Sequence, residues 1–408
     1  EFVNTIVFRP PSQRESGAAS TTDLAKMKKE EYRMVLRKVK DIVQNLKGEG
    51  LLKWKDPHFG PQDEDDNAAS SLYRNGKVPP PTGHSSYPDP DDIAWKSPVY
   101  RPKTRPKGPA KQDELDDKQE ESDEEGSDDY EDYEDEFRDV NPEFNDDSSW
   151  CSSARLFVNG AHAGDVKQGK LGDCWFLGAL ATLAVREEKV RDIFWPHNET
   201  KRKSLQDYGI FVCKFMKDFV WYYVIIDDRI PVFRKSGKPV FASCGEPDEL
   251  WVLMVEKAYA KLHQCYDALI GGYVDYGLRD MTGLVSEQIV LRKGHLGFHP
   301  ETQKQIENHI FWDRLCRDWR NGSMMGASIQ PDPKTRGHTK VEAQAGHGLR
   351  QRHAYSLLAM AEVPMGKLIV NQDADKKKTK NLHPIKMVVL RNPWGFGEWT
   401  GEWSDVDP

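Results

Sequence analysis

The chain has 408 residues, 38% of them hydrophobic, and a net charge of −8; this length predicts roughly two or three domains. No segment approaches the ~20 consecutive apolar residues that span a bilayer, so we expect no integral membrane segment. The first ten residues lack the basic start and apolar run of a secretory signal, and because residue 1 is not Met we expect a fragment.

The number and spacing of the six cysteines bear on whether the protein is secreted or binds zinc. None lies in a C-x-x-C pair or at zinc spacing from a histidine, and six is few for this length, which argues against a disulfide-rich secreted scaffold. We therefore expect an intracellular, cytoplasmic location, where thiols stay reduced. No basic patch alternates with stacking aromatic residues, so nucleic acid is not an expected partner.

The first predicted element is a helix from Thr22 to Lys47. A hydroxyl at Ser20, Thr21 or Thr22 can cap its start, and Gly48 can end it. Its outer face is net basic, so the helix either packs on the body of the protein or binds a partner or a membrane surface. Its apolar residues recur every three or four positions: Leu24, Met27, Met34, Val35, Val39, Ile42, Val43 and Leu46.

Two segments without regular periodicity follow. Residues 50–111 alternate Pro- and Gly-rich stretches with aromatic residues, which predicts a loop-rich segment docked on a surface. From Asp113 to Asp147 the chain carries 20 Asp and Glu against 2 Lys and Arg, a local charge of −18 that leaves about +10 elsewhere. We expect 112–149 to be a disordered acidic tract, because it cannot offset the entropy of ordering. It is either a solvated linker or a tether that folds back on the basic remainder, and it joins the helix as a candidate site for regulatory partners.

From Trp150 the composition becomes globular. We expect a first lobe at 150–271 and a second at 272–408, preceded by an extension at 1–111. A nearly all-apolar helix, Cys174 to Val185, is predicted inside the first lobe. The remaining predictions are strands at 208–216, 220–232, 354–363, 368–371 and 385–391, and helices at 247–269 and 301–320. This order predicts an α+β protein in which a helix-led lobe precedes a strand-led one.

Cys174 is the strongest candidate for a reactive group. It opens the apolar helix directly after a glycine-containing turn that starts at Gln168. A helix N-terminus favours thiolate over thiol, and its free N–H groups can stabilise an oxyanion. The Gln168 amide could supply a second oxyanion donor. A cysteine at a helix start is more often structural, however, so the assignment needs a base.

His353 is the candidate base, because it begins an apolar strand-like run whereas most of the 12 histidines lie in polar or Pro-rich loops. Its orienting group could be Asn392, directly after the last predicted strand. An amide oxygen that accepts from the imidazole would fix the tautomer, as a carboxylate does in serine proteases. Trp394 could shield that hydrogen bond from water. Alternatively, Asn392 is a simple turn residue and Trp394 a core aromatic.

Three long segments resemble the calpain family of papain-fold cysteine proteases. In calpain order they are Q-G-K-L-G-D-C-W-F-L from Gln168, H-A-Y-S from His353 and R-N-P-W-G-F-G-E-W-T-G-E-W-S-D from Arg391. The likeness covers about residues 150–408 and is fainter at 54–57 and 95–98. It implies a papain-like, two-lobed core with a helix-rich first lobe, a β-rich second lobe, and a loop-rich, partly disordered N-terminal extension.

The same resemblance implies roles for single residues. The catalytic set would be the nucleophile Cys174, the general acid and base His353, its orienter Asn392 and the oxyanion donor Gln168. The cleft would lie between the lobes, hinged near Gly271-Gly272. Three residues are assigned to substrate binding, the first through its backbone: Gly272, Arg352 and Trp394.

Calpain cores also bind calcium, one ion per lobe, and calcium takes oxygen ligands. The first-lobe site is matched by the carbonyls of Val158 and Gly160 and the carboxylates of Asp165 and Glu249. Ordinary surface charge is the alternative interpretation of the two carboxylates. The second-lobe site is matched only at Glu398 and Asp405, and we expect its other ligands beyond Pro408.

Two departures from the calpain pattern bear on activity. Arg352 stands where calpains usually have Gly, and would crowd or charge the cleft wall. Ala163 stands where family members carry an Arg that couples the lobes. We predict a calcium-regulated intracellular cysteine endopeptidase that performs limited proteolysis of protein substrates. The alternatives are a catalytically impaired regulatory or interaction module, and an acyl-transfer activity such as ligation.

Overall fold

The structure is a computed structural model that describes residues 5–8, 21–62, 66, 68–79, 87–97, 100–102, 150–152, 154–246, 248–330, 343–364, 367–371, 377–381 and 384–404. The predicted acidic tract at 112–149 and Asp405 lie outside these ranges. None of the helices in the described ranges is long and apolar enough to cross a membrane.

Helices and strands are mixed along the chain, which confirms the α+β prediction. The helices are α1 (Thr21–Gly48), α2 (Ala69–Leu72), α3 (Cys174–Leu183), α4 (Glu187–Arg191), α5 (Glu199–Asp207), α6 (Trp251–Leu262), α7 (Val274–Thr282), α8 (Pro300–Glu307) and α9 (Ile310–Arg320). The strands are β1 (Thr5–Phe8), β2 (Ile93–Lys96), β3 (Tyr100–Pro102), β4 (Trp150–Ser152), β5 (Phe194–Trp195), β6 (Ile210–Lys217), β7 (Val220–Asp227), β8 (Ile230–Phe233), β9 (Met325–Ser328), β10 (Gln344–Gly346), β11 (Leu349–Arg350), β12 (Ala354–Val363), β13 (Lys367–Asn371), β14 (Lys377–Asn381) and β15 (Ile385–Arg391).

Three predicted elements have different bounds. The single helix predicted at 301–320 is wrong, because His309 adopts a left-handed backbone with φ of 61° and separates α8 from α9. The helix predicted at 247–269 ends earlier, at Leu262, and Gln264 turns the chain with φ of 81°. The strand predicted at 220–232 is interrupted after Asp227, whose carboxylate is engaged by buried cations.

The sheet of the predicted first lobe has the order β1-β7-β6-β5 and is antiparallel throughout. Helix α6 packs on strands β6 and β7 of this sheet, and α3 lies against α6; both helices are completely buried. Phe176 of α3 stacks on Tyr259 of α6 with ring centroids 4.1 Å apart. The nucleophile candidate therefore starts a helix at the centre of the largest apolar core.

Helix α1 packs on the same lobe and builds a second apolar core there. Its spacing of apolar residues puts one stripe against the protein, as the amphipathic pattern predicts. The interpretation as a packed surface helix is confirmed. The buried members of this core are Val35, Leu36, Val39, Ile42, Val43, Leu46, Trp195, Leu205, Tyr208, Ile210, Val212, Tyr223 and Ile225.

A buried ion network joins the loop after α1 to the sheet. Lys261 of α6 lies 2.6 Å from the Asp56 carboxylate, and the N–H of Asp56 donates to Asp227 Oδ2 at 2.9 Å. Asp227 in turn is paired with Lys257 and with Arg229, the latter at 2.6 Å. Because these charges are almost fully buried, each depends on the others for its hydrogen bonds. The loop after α1 is therefore part of the buried interior and does not merely lie on the surface.

The second sheet has the order β15-β12-β9, also antiparallel. Helix α3 packs on its central strand. A Cβ built on Gly178 would lie 3.8 Å from the Ala354 side chain, and Ser356 Oγ donates to the Gly178 carbonyl at 2.7 Å. Thr182 Oγ1 also donates to the Met325 carbonyl of β9, at 3.3 Å. The helix that starts at Cys174 therefore rests directly on the strand that starts after His353.

Candidate active site

Cys174 is the first residue of α3 and is 8% exposed. The carbonyl of Asp173 accepts the N–H groups of Phe176, at 2.8 Å, and Leu177, at 3.1 Å, which begins the helix. The thiol therefore lies at the end of the helix where partial positive charge and unbonded N–H groups concentrate.

His353 and Asn392 are joined by a hydrogen bond. His353 Nε2 lies 2.7 Å from Asn392 Oδ1, and the imidazole is 1% exposed. Asn392 Nδ2 donates to the Phe396 carbonyl at 2.9 Å, which fixes which end of the amide faces the histidine. Because an amide oxygen only accepts, Nε2 carries the proton and Nδ1 is the nitrogen that can take one. The Trp394 ring lies 4.8 Å from the imidazole and covers this bond.

The contact of α3 with β12 places the two candidate groups at one edge. Cys174 lies one helical turn before Gly178, and His353 immediately precedes Ala354, which Gly178 faces. The cysteine and the histidine therefore stand at the same end of this helix–strand contact. This placement is the one that a nucleophile and its base would need, and the roles of the two residues stay predictions.

Gln168 connects the nucleophile turn to the asparagine loop. Its N–H donates to the Pro393 carbonyl at 2.9 Å. Its side-chain Nε2 donates to the Leu171 carbonyl at 2.7 Å, which leaves one of the two amide protons for another acceptor. This fixed amide stands beside the turn that leads to Cys174, as an oxyanion donor requires.

Gly272 lies against the residue that follows the nucleophile. A Cβ on Gly272 would come within 2.4 Å of the Trp175 indole, so only glycine fits. Trp175 Nε1 donates to the Leu269 carbonyl at 2.8 Å, and the Gly271 N–H donates to the Gly172 carbonyl at 3.0 Å. The backbone of Gly272 is therefore held beside the start of α3, and its substrate-binding role stays a prediction.

The backbone conformation of Arg352 accounts for the glycine that calpains usually have at this position. Its φ is 53°, in the left-handed region where a Cβ is unfavourable and glycine is not. Its N–H donates to the Ile329 carbonyl at 2.8 Å, which holds the backbone in this conformation. The glycine usual at this position meets a backbone requirement, and here the arginine meets it with strain.

The predicted first-lobe calcium ligands surround a buried carboxylate. Glu249 is 1% exposed; Oε1 accepts the Val158 N–H at 2.8 Å, and Oε2 is buried with no partner among the described residues. Burial, with the Asp165 carboxylate nearby, raises the pKa of Glu249 to about 7. Gly160 faces a further carboxylate, because a Cβ there would lie 2.7 Å from Glu187. The neighbouring Glu249 and Asp165 carboxylates supply the kind of oxygen donors that a hard divalent cation takes.

Arg391 crosses from β15 to this same loop. Its guanidinium donates to the carbonyls of Gly164 and Val166, each at 2.9 Å, and it faces the Asp165 and Glu398 carboxylates. The predicted loss of coupling at Ala163 is therefore accompanied by a different arginine that spans the two halves. Sequence reasoning missed Arg391, since nothing local to the R-N-P-W segment indicates a partner more than two hundred residues earlier.

The second predicted calcium site is only partly described. Glu398 is exposed, and a Cβ on Gly348 would lie 2.1 Å from its carbonyl oxygen, so the two loops are in close contact. Asp405 falls outside the described residues, which leaves this site a prediction. In the described ranges no three His, Cys, Asp or Glu side chains converge as metal ligands.

Comparison with known proteins finds relatives for the C-terminal two-thirds of the chain. Residues 133–408 match the family described as calpain family cysteine protease. The chain belongs to this family, a class of cysteine peptidases, as the resemblance of its three long segments predicted.

Individual relatives match over the same region. The chain is 36% identical to calpain-5 of Mus musculus over 259 residues, which is 63% of this chain and 38% of that protein. It is 36% identical to calpain-8 of Mus musculus over 258 residues, 63% of this chain and 31% of that protein. It is also 36% identical to calpain-A of Drosophila melanogaster over 256 residues, 62% and 27% of the two chains. The chain thus spans less than two-fifths of the length of each of these relatives.

Proposed function

We propose that this chain is an active cysteine endopeptidase that cleaves a limited set of peptide bonds in proteins. The single observation that carries this proposal is the His353–Asn392 hydrogen bond of 2.7 Å, located where β12 meets the helix that starts at Cys174. A buried imidazole with an assigned tautomer, at the same end of the α3–β12 contact as a helix-terminal cysteine, supports peptide hydrolysis by a thiol nucleophile. Three chain segments contribute to it.

The proposed mechanism uses each group at a stated atom. The Cys174 thiolate adds to the scissile carbonyl, and the resulting oxyanion accepts hydrogen bonds from the Cys174 N–H and the Gln168 amide. His353 Nδ1 gives its proton to the leaving amine as the C–N bond breaks, which leaves a thioester. His353 then removes a proton from water, which attacks the thioester and releases the carboxylic acid and the Cys174 thiolate.

The substrate would lie along Gly272, with the Trp394 ring forming part of the opposite wall. The limited selectivity follows from a cleft whose wall includes Arg352, a cation that would favour or exclude particular side chains. The five cysteines with described side chains are all free, and this supports a proposed reducing, intracellular location.

The proposal is tested by peptide and casein hydrolysis. Wild-type chain is expected to hydrolyse both, while Cys174→Ala and His353→Ala lose about 10³-fold or more of the rate, because nucleophile and base act as a unit. Cys316→Ala, a cysteine outside the site, serves as the matched control and keeps the full rate. Hydrolysis that survives Cys174→Ala overturns the proposal.

Calcium regulation is a second part of the proposal. Glu249, Asp165 and the carbonyls of Val158 and Gly160 would hold the ion, which supplies positive charge that offsets the repulsion between the two carboxylates. Arg391 donates to the carbonyls on either side of Asp165 and directly precedes Asn392 in the chain. A shift of the Asp165 loop would therefore move the segment that holds Asn392. Binding would thus favour the conformer in which both halves are in register.

Calcium binding is measured as a thermal shift, which needs no activity. Saturating calcium, at about 100 times its Kd, is expected to stabilise the wild-type chain by about 2.7 kcal/mol. Glu249→Gln should abolish that stabilisation, and Glu246→Gln, a neighbouring carboxylate, should retain it. An equal shift in all three proteins would place calcium elsewhere, and no shift in the wild type would remove it from the proposal.

One observation supports the alternative function, a catalytically impaired regulatory or interaction module. Arg352 occupies a strained position beside the base and adds a side chain to the cleft wall where the family usually has none. Hydrolysis assays of Arg352→Gly separate the two functions. An impaired module would be inactive as wild type and gain activity with glycine.

A further inference from the structure

Two buried carboxyl groups lie behind the candidate nucleophile and take no part in the mechanism above. Asp173 immediately precedes Cys174 and is 0% exposed; Glu256, on α6, is 2% exposed. Carboxyl groups are almost never buried without a cation or a metal, because the charged form loses its hydration. Some interaction must therefore stabilise these two buried carboxyl groups beside the candidate nucleophile.

The hydrogen bonds of the two groups are unequal. Both oxygens of Glu256 receive the Ala242 N–H, at 3.0 and 3.1 Å. Besides its own backbone N–H, the group that faces the Asp173 carboxylate among the described residues is the Glu256 carboxyl, to which it is hydrogen-bonded. Burial raises the pKa of both, Glu256 well above its ordinary value and Asp173 to about 7. A hydrogen bond between two carboxyl groups needs a proton on one of them, and the opposite effects of this bond on the two pKa values make Glu256 the donor and Asp173 the acceptor.

No cation balances this pair within the described residues. Lys257, next to Glu256 on α6, turns the other way and donates to the Asp227 carbonyl at 2.9 Å. The remaining titratable groups that face the pair are Tyr266, whose ring stacks on Phe241, and, beyond it, Asp227. The shared proton takes the place that a cation occupies in an ordinary buried pair.

The pair connects the two segments that flank the reaction site. Ala242, bonded by Glu256, follows the residues that hold the turn after Gln168: the Val240 carbonyl accepts the Lys170 N–H at 2.9 Å. Gly169 packs so tightly on Phe241 that a Cβ would lie 2.0 Å from its carbonyl oxygen. Asp173, at the other end of the bridge, starts the helix of Cys174.

We infer that Asp173 and Glu256 are a proton-sharing carboxyl pair that positions the nucleophile relative to the oxyanion donor. Neither residue touches substrate. Glu256 holds the segment under the Gln168 turn and, through its proton, holds the residue that sets the first turn of α3. The inference rests on the proposed function for its catalytic consequence, whereas the shared proton itself does not.

The kinetic test compares two substitutions at one position. Glu256→Gln keeps a donor for Asp173 and an acceptor for the Ala242 N–H, while Glu256→Ala removes both. Because a displacement of about 1 Å at a reacting group costs on the order of 10²-fold in rate, we expect Glu256→Ala to lower kcat by about 10- to 100-fold with little change in KM. Glu256→Gln is expected to restore most of that loss.

Rates are taken per folded molecule, so a loss of stability alone does not count. Asp280→Asn is the control, a carboxylate 1% exposed that accepts from Tyr259 and Lys217, each at 2.6 Å, and is not part of the pair. It should lower the thermal midpoint and leave kcat unchanged. A Glu256→Ala protein with wild-type kcat, or a Gln variant as slow as Ala, overturns the positioning role.

An infrared measurement tests the proton without any activity. At pH 8 the wild type is expected to show the carbonyl band of a protonated carboxylic acid that is missing from Glu256→Gln. If the wild type hydrolyses nothing, the proposed function fails, and this band still decides the shared proton. If the two spectra are identical, the pair holds no proton and the inference is wrong even in an active enzyme.

Discussion

At the residue scale, Arg352 is a non-glycine residue at a position whose backbone conformation favours glycine. A non-glycine residue in the left-handed region costs about 1–2 kcal/mol, whereas glycine costs about 0.5–1 kcal/mol more than alanine in lost freedom of the unfolded chain. Arg352→Gly is therefore expected to raise the free energy of unfolding by about 0.5–1 kcal/mol in a denaturant titration. Arg352→Ala keeps the unfavourable φ and should give no such gain. Equal stability of the Gly and Ala variants would show that the position is unstrained.

Asp173 gives the fold a pH dependence whose sign follows from its burial. Its pKa is about 7 in the folded chain and 3.8 as the ordinary value, so between these pH values the folded state binds the extra proton. The stabilisation is complete below pH 3.8 and is lost as pH rises toward 7. Compared with Asp173→Asn, the wild type should lose up to about 1.4 kcal/mol of unfolding free energy per pH unit over this range.

Denaturant titrations of both proteins between pH 4.5 and 8 measure this difference. Above pH 8 the two profiles should run parallel. A difference that is constant across the whole range would mean that Asp173 ionises normally in the fold.

The candidate catalytic residues could be picked out from the sequence because each lies in a long segment with its own signal. Cys174 opens an apolar helix, and Asn392 ends an apolar strand. Their buried supports could not be predicted in the same way. Glu256 reads as one of several charges in a helix, and only the packing of α6 behind Cys174 shows that its carboxyl meets Asp173.

At the element scale, the loop after α1 is fixed to the sheet by charges. Asp56→Ala leaves Lys261 buried without its carboxylate, which should cost about 3–5 kcal/mol of unfolding free energy. The double variant Asp56→Leu with Lys261→Met should recover much of that loss, because an apolar pair of similar volume replaces the ions. Denaturant titrations of the two variants measure both effects.

The control for this prediction is an ion pair on the surface. Glu199 and Lys203 lie 2.9 Å apart on α5, both more than half exposed, so Glu199→Ala should cost at most about 0.5 kcal/mol. A similarly small cost for Asp56→Ala would mean that the extension is not held by this network.

Periodicity predicted the elements with unequal success, for a physical reason. The bounds of α1 differ from the prediction by one residue at each end, since a 3.6-residue apolar repeat with capping residues is a local signal. The break between α8 and α9 has no such signal, because His309 is neither Gly nor Pro. The end of β7 at Asp227 depends on Lys257 and Arg229, which the sequence does not place nearby.

At the scale of the whole molecule, several of the described links between the two sheets lie beside the candidate catalytic residues. Helix α3 rests on β12, Arg391 reaches the Gly164–Val166 loop, and the Gln168 N–H bonds to the Pro393 carbonyl. Every one of these links ends within five residues of a candidate catalytic group. A change in the relative position of the sheets would therefore alter the site before it altered either core.

The most direct test of this arrangement is the rate at which iodoacetamide alkylates each cysteine, followed by mass spectrometry. Cys316, which is partly exposed and distant from His353, is an internal control in the same chain. At pH 6 Cys174 should react faster than Cys316 despite its burial, because the proposed mechanism requires a Cys174 thiolate paired with the His353 imidazole. His353→Ala should slow Cys174 at least about tenfold and leave Cys316 unchanged. A Cys174 rate that does not depend on His353 would contradict a shared site.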